Sequence, residues 1–211
     1  NHAGWFGLAG GKVYLSRTGW TAELGYEIYT LGDQTDCKIL WDELISKGSP
    51  LGMEVDGILS METRRIEAGI LDNMTDFDVT MNPFDAGLGA LVDLDKNDFI
   101  GKDALMKISQ NQNEKKIFGI ICDDSFSYKA KLCNETGSSI GYLSASVWSP
   151  SLKKYIAYGR FSEAADWLNK KNIFVENANG EKSPCSVVDL PFYDKQKDIP
   201  RGKDTVIPER I

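Results

Sequence analysis

The feature that most constrains this chain is a change of texture near residue 110. Downstream of it, KIFGIIC, SIGYLSASV, KYIAYGRF, NIFVEN and CSVVDLPF are short runs, apolar or alternating, separated by turn signals such as NETG and NANG. Such runs pair rather than coil, and they predict a small antiparallel barrel or sandwich. The polar stretch QNQNEKK, residues 110 to 116, interrupts the apolar pattern and marks the expected boundary between a domain over 1–110 and a barrel domain over 111–211.

Upstream the periodicities are mixed. KVYLSRT places Val13, Leu15 and Arg17 on one face and Tyr14, Ser16 and Thr18 on the other, and GYEIYTL follows after a turn containing Gly19 and Gly25, so a hairpin is expected. TDCKILWDELISKG puts Cys37, Leu40, Trp41, Leu44 and Ile45 at helical spacing, with Thr35 as N-cap, Gly48 as the stop and Pro50 beyond it. GILSMETRRIEAGIL and IGKDALMKISQ read as two further helices. Between them DNMTDFDVTMNPFDAGLG reads as an ordered, turn-rich loop, and GLAGGK at residues 7 to 12 as a flexible lead-in to the first strand. The class is α+β.

Composition excludes several functions. The 211 residues carry 24 Lys+Arg against 31 Asp+Glu, a net charge of -7, which repels phosphate backbones and makes nucleic acid an unexpected partner. No apolar run approaches the roughly 20 residues of a membrane span, so no membrane partner is expected. Cys37, Cys122, Cys133 and Cys185 form no C-x-x-C pair, which fits reduced thiols in the cytoplasm rather than a zinc site. The chain opens at Asn1 without methionine and is expected to be a piece of something longer.

His2 is the only histidine, which removes Ser-His-Asp and Cys-His catalysis and histidine-ligated metals. Asp76, Asp78 and Asp85 do not match a calcium loop. On spacing alone, Glu62, Arg65 and Glu67 read as a solvated helix face. Glu27 stands out. It lies between Tyr26 and Ile28, with Tyr29 and Leu31 on its own strand face; if that face is buried, the carboxylate needs donors from the protein or from a ligand. It is expected to project into a cavity.

Several segments together resemble one family. SRTGWTAELGYEIY resembles the S-R-T-G-aromatic-T-x-E-x-G-aromatic-E signature of the folate-dependent aminomethyltransferases, typified by the glycine cleavage T-protein. ILSMETRRIEAGIL is similar to that family's helix ending L-R-L-E-A-G, and NPFDAGLGALVDLDKNDFIGKDAL to its P-x-E-A-G-L-G…F-I-G-x-x-A-L segment. VWSPSLKKYIAYGRF and VVDLPFYD resemble its barrel strands. The likeness runs in one order over most of residues 11 to 195.

The resemblance implies the later part of a ferredoxin-like folate-binding α/β domain followed by a small C-terminal antiparallel β-barrel. It implies tetrahydrofolate as cofactor and one-carbon transfer from a small-molecule donor. It assigns Glu27 to the pterin ring, whose amino group and ring N–H suit a carboxylate, and Trp20 to the same pocket or to an ordinary core; Tyr29 and Arg65 complete the implied folate-binding set. Arg65 is expected to point inward, toward the pocket or toward a carboxylate such as Glu67 or Glu27, with Arg64 solvated. An acidic chain would meet a polyglutamate tail through lysines such as Lys129, Lys131, Lys153 and Lys154, which otherwise are surface groups.

Departures matter too. Ser60, Met61 and Glu62 stand where the family has A-R-D, so a folate-contacting arginine is replaced by Met61. This bears on the substrate more than on the fold: the expected reading is an aminomethyltransferase, its nearest rival a sulfonium or methylamine demethylase on the same scaffold, and TDFDVTMNPFDAG and Trp20 lean toward the sulfonium branch; a non-catalytic folate-binding module is the alternative of another class. The family's catalytic aspartate belongs to an upstream half, so no catalytic residue and no metal ligand is assigned here, and that missing N-terminal half is an expected partner.

Overall fold

An alanine–glycine turn forms the chain's first hairpin. The computed structural model describes residues 2–109 and 115–205. Strand β1 (Ala3–Leu8) runs into β2 (Gly11–Ser16) through Ala9 and Gly10, both with positive φ, +53° and +72°. Positive φ at both central residues matches the twist of a tight hairpin, and Gly10 meets it without a Cβ penalty. The flexible lead-in expected at GLAGGK is therefore corrected: it is the end of one strand, a turn and the start of the next. β3 (Glu27–Thr30) adds to the other edge of β2, giving a three-stranded antiparallel sheet in the order β1-β2-β3. The expected second hairpin is present, with Ser16 opposite Glu27 and Tyr14 opposite Tyr29.

Helix α1 (Cys37–Gly48) ends where Gly48 was expected to end it, and Pro50 sits in a following 3-10 turn. Its N-cap is Asp36 rather than Thr35: the Asp36 carboxylate accepts from the amides of Lys38 and Ile39, at 2.9 and 3.1 Å. Thr35 instead donates its hydroxyl to the Lys12 carbonyl at 2.6 Å, fastening the loop to β2. Of the apolar stripe expected on α1, only Leu40 is buried, and Trp41 is 53% exposed.

By compactness the chain divides within helix α2 (Ile58–Glu67): residues up to Arg64, joined by those from Gln196, form one unit, and Arg65–Lys195 the other. Of the expected boundary stretch 110–116, residues 110–114 lie outside the described residues, and Lys115 and Lys116 already belong to the first barrel strand.

The second unit is built on a closed antiparallel barrel in the order β4-β7-β6-β5-β8-β9. Its strands are β4 (Lys115–Cys122), β5 (Lys131–Cys133), β6 (Ser139–Ser149), β7 (Lys154–Ala165), β8 (Ile173–Glu176) and β9 (Lys182–Val188). Alternation sends Phe118, Ile120, Leu132, Leu143, Phe161 and Val175 into the interior. The opposite face of β4 and β7, with Ile117, Ile156 and Tyr158, packs on Ile66, Ala86, Phe77 and Phe192. A strand buried on both faces needs an unbroken apolar run, which is why KIFGIIC does not alternate. The loop over 72–89 is ordered as expected, held by Asn82 capping the amides of Phe84 and Asp85. Helix α3 (Lys102–Ile108) closes the segment before the barrel.

Arg160 on β7 clamps Asp78 of that loop through two hydrogen bonds of 3.0 and 3.1 Å, and Thr80 also donates to the same carboxylate. These partners, Arg160 first, hold the Asp78 carboxyl far below the usual carboxylate range. A folded-state value below the unfolded one, ordinarily about 4, means that the pair's contribution is complete above the unfolded value and is lost as pH falls through the folded one. Asp78→Asn should therefore flatten the fall of the urea midpoint between about pH 5 and pH 2. Parallel slopes for variant and wild type would show that the pair does not sense acid.

Candidate functional site

The sheet of the first unit carries a row of aromatic and polar groups on one face. Directly opposed residues share a face, so the register places Trp5, Tyr14 and Tyr29 in a row across the three strands, with Ser16 and Glu27 beside them. Ring centroids lie 5.1 Å apart for Trp5 and Tyr14 and 6.5 Å apart for Tyr14 and Tyr29, and Lys12 sits 4.7 Å over the Trp5 ring. Trp5 and Tyr29 are about half exposed.

Glu27 anchors the end of this row. Its Oε2 accepts the hydroxyl of Tyr29, a short contact, and the hydroxyl of Thr18 at 3.0 Å; Thr18 also reaches the Ser16 hydroxyl. Both bonds fall on Oε2, and among the described residues no donor reaches Oε1. Donation by Tyr29 and then Thr18 holds the carboxyl below its ordinary value, while the same bond raises the Tyr29 phenol. The carboxylate is thus ionised at neutral pH, fixed by one oxygen, and open at the other.

The structure corrects the surroundings expected for Glu27. Its face is open rather than buried, and the adjacent cavity, about 400 Å³, is lined by Thr18, Arg17, Glu23 and Arg201 but not by Glu27 itself. Tyr29 meets Glu27 as a direct partner. Trp20 lies in the loop between β2 and β3, 40% exposed, so it is not an ordinary core tryptophan. A second cavity, about 650 Å³, is lined by Met61, Ile58, Ser60, Thr21, Glu23 and Arg64, and it contains the position where an arginine was expected. Arg64 pairs there with Glu23.

Arg65 belongs to the second unit. It is 2% exposed and its Nη1 lies 2.7 Å from Asp76 and 3.2 Å from the Ile70 carbonyl. The inward orientation toward a carboxylate is as expected, and Asp76 of the following loop supplies one. Glu67, fully buried, accepts from the hydroxyls of Ser149 and Ser151. The solvated helix face read from spacing is overturned for both residues. Thr18 is the site residue that sequence reasoning left without a role, although its alternation with Tyr14 and Ser16 already placed it on the right face.

Comparison with known proteins finds similarity along most of the chain. Residues 2–96 match the family described as the GCVT N-terminal domain and residues 115–194 the glycine cleavage T-protein C-terminal barrel domain. The aminomethyltransferase of Lysinibacillus sphaericus is 31% identical over 192 residues, covering 90% of this chain and 51% of that protein. That of Prochlorococcus marinus is 35% identical over 188 residues, covering 87% and 48%. The crystal structure of glycine cleavage system aminomethyltransferase T from Bartonella henselae superposes with a TM-score of 0.72 at 25% identity, over 86% of this chain and 50% of that one. The chain spans about half the length of the relatives it matches.

Proposed function

The chain belongs to the glycine cleavage T-protein family, and on that premise we propose that it supplies the pterin-holding wall of a tetrahydrofolate-dependent aminomethyltransferase. The observation that carries this reading is the Glu27 carboxylate, pinned through Oε2 by Tyr29 and Thr18 and open at Oε1, on an aromatic sheet face. A pterin presents an amino group and a ring N–H side by side, and an ionised carboxylate held in one orientation accepts both. Trp20, in the intervening loop, adds an aromatic wall. Arg65 is taken up by Asp76 within the second unit, where the pair holds the end of helix α2 to the following loop.

Tetrahydrofolate, when bound, supplies the nitrogen that accepts a one-carbon unit from a small amine-bearing donor. The residues of this chain orient the cofactor and hold negative charge against its ring donors, which is positioning rather than proton transfer. The upstream half of the family fold is the proposed polypeptide partner and the cytoplasm the proposed setting. A second reading, demethylation of a sulfonium compound or methylamine, is favoured by Met61 lining the wide cavity in place of an arginine.

Glu27→Gln keeps the shape and replaces one charge-assisted acceptor by a donor, at a cost of about 1.5–3 kcal/mol in tetrahydrofolate affinity, a factor of roughly ten to a hundred. Titration calorimetry checks it, and equal affinities for variant and wild type would remove Glu27 from the site. Turnover assays with glycine-derived and sulfonium donors in the presence of the upstream half separate the two enzymatic readings. Binding without turnover of either donor would leave a folate-binding module.

A further inference from the structure

The arginines of the described residues sort into two groups. Arg64 pairs with Glu23, Arg65 with Asp76 and Arg160 with Asp78. Arg17 and Arg201 have no carboxylate partner among the described residues, and both line the same cavity of about 400 Å³. In a chain with 31 acidic residues and a net charge of -7, two unpaired guanidiniums at one concavity depart from the pattern set by the others. An arginine stays charged whatever its surroundings, so a half-buried one favours an anion beside it.

The cavity is also built. The backbone amide of Arg17 donates to the His2 carbonyl at 2.9 Å, and its Nη2 donates to the Pro200 carbonyl at 3.2 Å, which fixes the side chain against the turn that carries Arg201. That single carbonyl uses one of the five guanidinium N–H donors. Thr18, whose hydroxyl is committed to Glu27, and His2 also line the wall. Glu23 lines it too and would oppose an anion, but its carboxylate is held by Arg64. The lysines expected to gather an acidic tail are committed elsewhere in part: Lys131 pairs with Glu176 and Lys154 with Asp123.

We propose that this cavity is a carboxylate-binding site in which Arg17 and Arg201 together hold an anionic ligand group. The carboxylate has two possible sources, a free small dicarboxylate or the glutamate tail of a folate. The site does not depend on the pterin reading of Glu27, because its two guanidiniums are separate from that carboxylate and the shared Thr18 only lines the wall. Charge-assisted bonds from two guanidiniums outweigh the residual repulsion of a paired glutamate, and such binding weakens as salt rises.

The test is a titration of the isotope-labelled 211-residue chain with sodium glutarate at fixed ionic strength, read by amide shifts at Gly19 and Gly25. Saturable shifts are expected, with affinity reduced roughly ten- to hundredfold in Arg201→Gln and unchanged in Lys38→Gln, a charge-matched change on helix α1. Arg201 is exposed, so its replacement spares the fold even if Arg17→Gln loses the Pro200 contact. Tetrahydrofolate with one and with three glutamates forms the second arm. A loss confined to the triglutamate in Arg201→Gln identifies the tail as the source, and saturable glutarate binding with folate affinity untouched identifies a free dicarboxylate. Linear shifts with glutarate, or equal loss in Lys38→Gln, together with triglutamate affinity unaffected by Arg201→Gln, would overturn the proposal. Glutarate reads the cavity without any folate, so failure here and failure of the pterin reading are separate results.

Discussion

Arg65→Ala is expected to lower the unfolding free energy by about 3–5 kcal/mol, whereas Arg64→Ala, one residue earlier on the same helix, should cost no more than about 1 kcal/mol. The asymmetry follows from burial. Arg65 and Asp76 are 2% and 0% exposed, and removing the guanidinium strands a carboxylate that keeps only the Asp72 amide at 2.8 Å and the Ser144 hydroxyl at 2.7 Å. Arg64 and Glu23 remain partly solvated, at 25% and 39%, so water replaces most of what their separation loses. Replacing both buried partners, Arg65→Met with Asp76→Leu, should recover much of the loss, because the penalty lies in the unpaired charge rather than in the absent bond. Urea denaturation of the three variants checks the ordering. Comparable losses for Arg64→Ala and Arg65→Ala would refute it.

What the sequence disclosed, and what it hid, follows the range of the interactions. The barrel was legible because its strands are punctuated by local turn chemistry: Gly137 and Gly180, in NETG and NANG, both have positive φ, +80° and +84°. Helix α1 was legible from its glycine stop, and its cap was misplaced by one residue because Thr35 and Asp36 are both good caps, and only the approach of Lys12 decides between them. β1 was missed because its turn uses Ala9 at positive φ, a conformation that alanine seldom adopts and that sequence rules do not anticipate. That Arg65 meets Asp76, and Glu67 meets Ser149 and Ser151, could not be read at all. Asp76 lies on a loop, Ser149 ends strand β6 and Ser151 lies in the turn beyond it, so helical spacing carried no information about either. The Glu27 face was half legible: alternation aligned Glu27 with Tyr29, but the joint use of Oε2 by Tyr29 and Thr18 depends on the conformation of the loop after β2.

Glu67→Ala should cost roughly 2–4 kcal/mol, and its origin distinguishes a structural motif from a ligand-binding one. The residue opens the E-A-G run that resembles the family, yet its carboxylate is fully buried and directed at the barrel, where Oε1 accepts from Ser149 and from the Ser151 amide at 3.3 Å and Oε2 from the Ser151 hydroxyl at 3.2 Å. The glycine of the run serves the same junction: Gly69 has φ +70°, and a Cβ there would stand 3.0 Å from the Pro191 Cα. Losing the carboxylate leaves a fully buried Ser149 hydroxyl without its acceptor. Glu67→Gln separates charge from shape, since its amide keeps one acceptor oxygen but turns the other position into a donor facing a hydroxyl, which can rotate to accept. It should therefore fall between wild type and Glu67→Ala. Ser149→Ala alone should cost about 1–3 kcal/mol, and the double variant with Glu67→Ala less than the sum, because both changes remove the same bond. Measured stabilities that simply add would mean that the two groups do not depend on each other. Loss of tetrahydrofolate affinity in Glu67→Ala at unchanged stability would instead make this carboxylate part of the ligand site and deny it the role of joining helix α2 to the barrel.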